Sequence, residues 1–176
     1  MRVFVHGSAG LSFLARILRT ATVVATVAGA SVLGAASVAA SSAAAETPLA
    51  ANTLEIRTAK ATHAFTVEIA DTDAKREEGL MFRTQMAPDH GMLFDFKREQ
   101  PVYFWMKNTY LSLDMIFARA DGTILSIAEN TTPLSEALVP AGGPVRFVFE
   151  VVAGTTKRLG VAPGDRLVHP RIRRPE

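Results

Sequence analysis

Between residues 54 and 169 the apolar positions fall mostly at period two. Phe65, Val67 and Ile69 alternate with Thr66, Glu68 and Ala70, and Val145, Phe147, Phe149 and Val151 alternate with Arg146, Val148, Glu150 and Val152. Successive side chains of a strand point to opposite faces, so each pattern predicts a strand with one buried face. In the second, the Val-Phe-Phe-Val set is the expected inner face. Met92-Leu93-Phe94-Asp95-Phe96 and Val102-Tyr103-Phe104-Trp105-Met106 are short, aromatic-rich runs, and residues 113–118 form a third. Asp121-Gly122 joins that run to residues 123–128, a strong hairpin signal because both turn positions tolerate positive φ. Pro163-Gly164 suits a type II turn before a last strand at residues 165–169.

Two segments break the alternation. Asp71-Thr72-Asp73 supplies capping oxygens and first-turn acids for a helix to about Glu78, which Gly79 can end. Gly154-Thr155-Thr156 starts a shorter helical turn that Gly160 closes. Gly142-Gly143-Pro144 reads as a turn into the following strand. Seven or eight short strands with two small helices predict a mainly β domain, a compact antiparallel β-sandwich or barrel-like fold, with α+β as the alternative.

The first 45 residues are of another kind. They contain no Asp or Glu, their only Lys or Arg are Arg2, Arg16 and Arg19, and residues 21–40 are all Ala, Val, Thr, Ser, Gly or Leu. A basic stretch, an apolar stretch and then small residues is the layout of a signal peptide. Ala43-Ala44-Ala45 places cleavage before Glu46, with cleavage after Ala39 or Ala40 as neighbouring options. The apolar run is long enough to span a bilayer. With one Leu and no Ile or Phe it would insert poorly, which argues against a retained anchor. Its arginines stop at Arg19, unlike the Arg-interspersed helix of a mitochondrial transit peptide. The expected organisation is therefore a signal peptide at 1–45, a linker at 46–53, one domain at 54–170 and a basic tail at 171–176. The expected location is the bacterial periplasm or outside the cell.

Removing the leader changes the charge. Of 19 Lys+Arg and 17 Asp+Glu, 16 bases and all 17 acids remain, a net of −1. Nucleic-acid binding then lacks its electrostatic footprint, and Arg171, Arg173 and Arg174 read as a solvated tail. With no cysteine, disulfides, thiol catalysis and thiolate metal sites are excluded.

Candidate chemistry centres on Phe104-Trp105-Met106-Lys107-Asn108-Thr109. On a strand, Val102, Phe104 and Met106 would form a core stripe, while Tyr103, Trp105 and Lys107 face the other way as an aromatic platform with a charge at its edge. Such a platform suits a sugar ring or an apolar ligand; alternatively Trp105 is covered by the loop after Asn108, and Asn108 is a turn residue. Five of the six methionines, Met81, Met86, Met92, Met106 and Met115, could form a Cu(I) site with His90, or simply fill core gaps, since they lie on different predicted elements. Acid–base candidates are Asp89, His90, Asp114, Glu129, Glu136 and Glu150. Asp89-His90 reads as an exposed loop. Asp114 interrupts an apolar run and is the acid most worth attention. The sequence lacks a Gly-x-Ser-x-Gly elbow, a His-Glu-x-x-His motif, a phosphate loop and a dinucleotide fingerprint.

Glu78-Gly79-Leu80-Met81-Phe82-Arg83, Gly91-Met92-Leu93-Phe94, Phe104-Trp105-Met106-Lys107-Asn108-Thr109 and Leu113-Asp114-Met115-Ile116-Phe117 together resemble the domain of unknown function 192 family. Gly143-Pro144-Val145-Arg146, Phe149-Glu150-Val151 and Gly164-Asp165-Arg166-Leu167 resemble its C-terminal half. Ser112 stands where the family usually has Pro. The resemblance implies a mainly β, usually exported bacterial domain and carries over no catalytic residue, substrate or cofactor. The residues matching its motifs that could line a site are Arg83, Trp105, Lys107, Asn108 and Asp114. The leading expectation is a non-catalytic ligand-binding or accessory module of the cell envelope, its ligand a cell-wall glycan or another small polar molecule. A hydrolase using Asp114 with a second carboxylate, or a methionine-rich Cu(I)-binding protein, are the alternatives.

Overall fold

Each predicted period-two segment becomes a strand of one sheet. The computed structural model describes residues 4–5 and 49–172; the rest of the leader, including the expected cleavage site, and Arg173 and Arg174 lie outside the described residues. The strands are β1 (Phe4–Val5), β2 (Thr53–Arg57), β3 (Thr62–Ala70), β4 (His90–Phe104), β5 (Leu113–Ala118), β6 (Ile124–Ala128), β7 (Val139–Val152) and β8 (Arg166–Val168), with helices α1 (Asp73–Glu78) and α2 (Thr155–Leu159). Seven strands run in the order β6-β5-β7-β4-β3-β2-β8, and β1 pairs beside β4 at Val102 and Tyr103. A bridge between Thr123 and Arg166 joins the two ends of that order, nearly closing the sheet into a barrel.

All strand pairs are antiparallel except β3–β4, which run parallel. The sequence pattern suggested a purely antiparallel fold. The difference arises from the connection over residues 71–89, α1 and the loop after it, which returns the chain to the starting end of the sheet, as a parallel crossover requires. The helix begins where the Thr72 hydroxyl accepts from the Lys75 amide, 3.3 Å, and stops at Gly79, φ 51°. The hairpin and turn signals also hold: Gly122 has φ 88°, and Gly164, at φ 97°, follows Pro163 in a turn closed by Asp165 N–H donating to Ala162 O.

Two cores lie on opposite faces of the sheet. The barrel interior takes side chains from all seven strands, including Leu54, Phe65, Leu93, Ile116, Ile124, Phe147, Phe149 and Leu167. The second core, on the other face of β4, β5 and β7, holds Met92, Phe94, Phe104, Met106, Met115, Phe117 and Val148. It exists because β4 is one long strand, where the sequence suggested two. The β4–β7 register shifts between Asp95 and Gln100, with Lys97 at φ 68°, and the far arm packs back on the near one. Phe104 on that arm meets Phe94, Phe96 and Phe117 edge to face at 5.2, 6.2 and 6.0 Å.

This second core overturns one expectation. The Arg146, Val148 and Glu150 side of β7 was to face solvent, yet Val148 and Glu150 are fully buried. Gly142-Gly143-Pro144, expected as a turn, lies inside β7. Arg171, expected in a solvated tail, reaches back to Asp71 Oδ2 at 3.0 Å and Asp95 Oδ2 at 3.8 Å.

Candidate functional site

Three loops meet at one end of the sheet: residues 79–89, 105–112 and 129–138. They are laced by backbone bonds from Phe82 N–H to Asn108 O, Met106 N–H to Ser135 O, Leu134 N–H to Thr109 O and Thr131 N–H to Leu113 O. Of the five non-glycine residues with positive φ among those described, Phe82, Asn108, Asn130 and Leu134 lie here. Left-handed backbone is costly for bulky Phe and Leu, and such residues persist where surrounding bonds over-determine them, often at functional sites. The conformation turns their side chains outward. Phe82, Tyr110, Leu134 and Leu138 are the exposed large hydrophobics of the described residues, at 61, 48, 57 and 54% exposure, and Phe82 meets Tyr110 edge to face.

Trp105 lies just past the end of β4 and packs against the second core with part of its surface open. The alternation expected around it is present: Val102, Phe104 and Met106 are buried, while Tyr103 and Trp105 are half-buried and Lys107 is exposed. Lys107 Nζ lies 5.3 Å from the centre of the Trp105 ring and 3.8 Å from Glu136 Oε1. Asn108, at φ 57°, takes the turn role and directs its amide toward Met81 Sδ at 3.8 Å. The fold thus sets Lys107 beside Trp105, and joins Asn108 to the loop that carries Phe82.

Arg83 stands on the adjoining loop but is bound bidentately to Glu68, at 2.5 and 2.8 Å, and lines a cleft of about 490 Å³ with Gln85, Met86, Ala87 and His90. The Arg83 hydrogen bond holds the Glu68 carboxyl below the usual range. Asp89 is exposed and bonds the His90 ring at 2.8 Å; His90 itself opens β4.

Asp114 is elsewhere. It pairs with Val151 in register, placing it on the barrel-interior face, opposite the Met-rich core. It is fully buried and saturated: Oδ1 accepts from Asn130 N–H at 2.9 Å, and Oδ2 from Thr156 N–H and Oγ1 at 2.9 and 2.7 Å. Glu129 Oε1 lies 3.2 Å from the same hydroxyl, whose one proton goes to the nearer Asp114. Asp114 therefore clamps α2 and the 129–131 loop to the sheet.

Glu150, one of the acid–base candidates, lies where the sequence pattern did not place it. Its side chain is fully buried in the second core, and neither carboxylate oxygen has a hydrogen-bond partner. Burial drives its pKa well above the usual carboxylate range. Its neighbours in register are Met92 on one side and Met115 on the other. Among the described residues, no three His, Asp or Glu side chains gather into a metal-binding group. No described helix is long and apolar enough to cross a membrane.

The fold and the motif residues together place the protein in a class of mainly β single-domain proteins. Residues 54–169 match the domain of unknown function 192 family (DUF192, uncharacterized ACR), and the chain belongs to that family. It is similar to the crystal structure of a "putative transcription regulator" from Sinorhizobium meliloti 1021. The two are 54% identical over 72% of this chain and 98% of that one, with a TM-score of 0.67. A protein of unknown function from Novosphingobium aromaticivorans DSM 12444 is 37% identical over 66% of this chain and 83% of its own, with a TM-score of 0.64. No curated protein matches the chain.

Proposed function

We propose that this is a non-catalytic binding module of the cell envelope, and that a glycan or another small polar ligand docks on the Trp105 end of the sheet. The observation that supports the reading is the half-buried Trp105 ring with Lys107 beside it and Glu136 within reach of Lys107, on loops whose exposed Phe82 and Tyr110 rings meet edge to face. Sugar C–H faces stack on aromatic rings, and the polar edge groups are suited to hydroxyls. A rigid platform loses little entropy on binding, which favours recognition by stacking.

The hydrolase alternative is weaker. Acid–base groups must reach a common substrate, and Asp114 is sealed with its oxygens occupied by protein donors. A nucleic-acid role, suggested by the description of the Sinorhizobium relative, also has little support. The mature charge is near zero, and Arg76, Arg83, Arg146, Arg166 and Arg171 are each tied to a carboxylate.

Trp105 is the sole tryptophan, so its emission reports on the platform. Titration with cell-wall glycan fragments is expected to shift or quench that emission, and Trp105→Ala to abolish the heat of binding. Emission and heat unmoved by every glycan would overturn the reading. The envelope location rests on the leader. N-terminal sequencing of protein from cell fractions is expected to find an exported form starting near Glu46, and an uncleaved cytoplasmic form would contradict it.

A further inference from the structure

The five clustered methionines of the sequence converge in space. Met92, Met106 and Met115 are buried in the second core, and Met81 and Met86 pack against it. Within that core lies a row of three side chains across adjacent strands. Met92 on β4 pairs with Glu150 on β7, which pairs on its other edge with Met115 on β5. Directly opposite residues of antiparallel strands share a face with Cβ atoms about 5 Å apart, so Glu150 stands in the row between Met92 and Met115.

Apolar packing does not ask for that carboxylate. Val148, two residues back on the same face, shows what a core position there accepts. Native proteins pair almost all buried polar atoms, and the other buried carboxylates, Asp95 and Asp114, follow that rule with bonds at 2.7 to 3.2 Å. Glu150 alone among the three has both oxygens without a protein donor.

We infer that Met92, Glu150 and Met115 form a binding site for one soft monovalent cation, Cu(I). Thioethers are neutral, soft ligands that select Cu(I) over hard ions. One carboxylate against one monovalent cation leaves a neutral site, whereas a divalent ion would leave a net positive charge in an apolar core. Ca²⁺ or Mg²⁺ would need several more oxygens than this core supplies. Met81 and Met86 carry thioethers from the core to the surface, where Met86 and His90 line the same cleft.

The test uses the full chain under anaerobic conditions, with Cu(I) competed against bicinchoninate, and air-stable Ag(I) as a spectroscopic substitute. The expected result is one Cu(I) per chain, and Ag(I)-induced shifts of the Met92 and Met115 methyl signals larger than those of Met81 and Met86. Met92→Leu and Met115→Leu are each expected to weaken Cu(I) at least tenfold with an unchanged circular dichroism spectrum. Glu150→Gln should weaken it as well, by removing the one charged ligand. Failure to compete with the chelator would overturn the site. So would binding lost on Met81→Leu/Met86→Leu but retained in Met92→Leu/Met115→Leu. If a core variant fails to fold, the methyl shifts in the unaltered chain decide. None of these readouts depends on glycan binding.

Discussion

Asp114 and Glu150 sit one register step apart on paired strands, both fully buried, and they could hardly differ more. Asp114 points into the barrel end and collects two backbone amides and a hydroxyl. Glu150 points into the opposite core and collects none. A buried polar group stabilises a fold only when its partners are present, and costs stability when they are absent. The first carboxylate therefore belongs to the architecture and the second is kept at a cost, which is the reason to assign function to Glu150 rather than to Asp114.

The largest expected effect comes from emptying the satisfied site. Asp114→Ala strands the Asn130 and Thr156 amides in a closed space and is expected to cost about 3–5 kcal/mol in urea unfolding. A cost under about 1 kcal/mol would break the comparison on its structural side.

Asp95 offers an intermediate case. Burial opposes its ionisation, but the hydrogen bond from Arg146, the Lys97 amide and the nearby charges outweigh that and hold its carboxyl below the usual range. Its folded pKa is depressed, so its stabilising contribution is present above the unfolded value and lost as pH falls through the folded one. Asp95→Asn is expected to cost about 2 kcal/mol at pH 7 and to flatten the acid limb of the stability profile.

A smaller loss is expected for Thr156→Val. It removes one hydroxyl bond to Asp114 while leaving the backbone amide in place, about 1 kcal/mol by thermal or urea unfolding.

Glu150→Gln is expected to be the exception in sign. With a raised folded pKa, the native chain keeps full stability below the unfolded value and loses it as pH rises toward the folded one. The variant should show no such decline and should unfold at higher urea than the native chain at pH 8. A profile parallel to the native one would show that Glu150 keeps an ordinary carboxylate pKa in its core.

Much of this architecture is legible in the sequence. Period-two runs, the Asp121-Gly122 and Pro163-Gly164 turns and the Thr72 and Gly79 caps are local signals, and each element appears where its signal lies. Trp105, Lys107 and Asn108 are neighbours in sequence, and they fall in the turn that begins where β4 ends rather than on a strand. What could not be read depends on distant pairing. The far arms of β4 and β7 cover a second face, and this turns Glu150 from an expected surface residue into a buried one. The juxtaposition of Met92, Glu150 and Met115 spans segments up to 58 residues apart in number, and only the register brings them into a row. Phe82 and Leu134 carry no motif of their own; their exposure follows from backbone bonds between loops.

Burial in the second core is expected to keep the Glu150 carboxyl protonated above the usual carboxylate range. The most direct measurement follows the ¹³C resonance of that carboxyl in selectively labelled protein across pH. That resonance is expected to stay at the protonated position at a pH where exposed glutamates have ionised. A resonance that titrates along with those surface glutamates would contradict it.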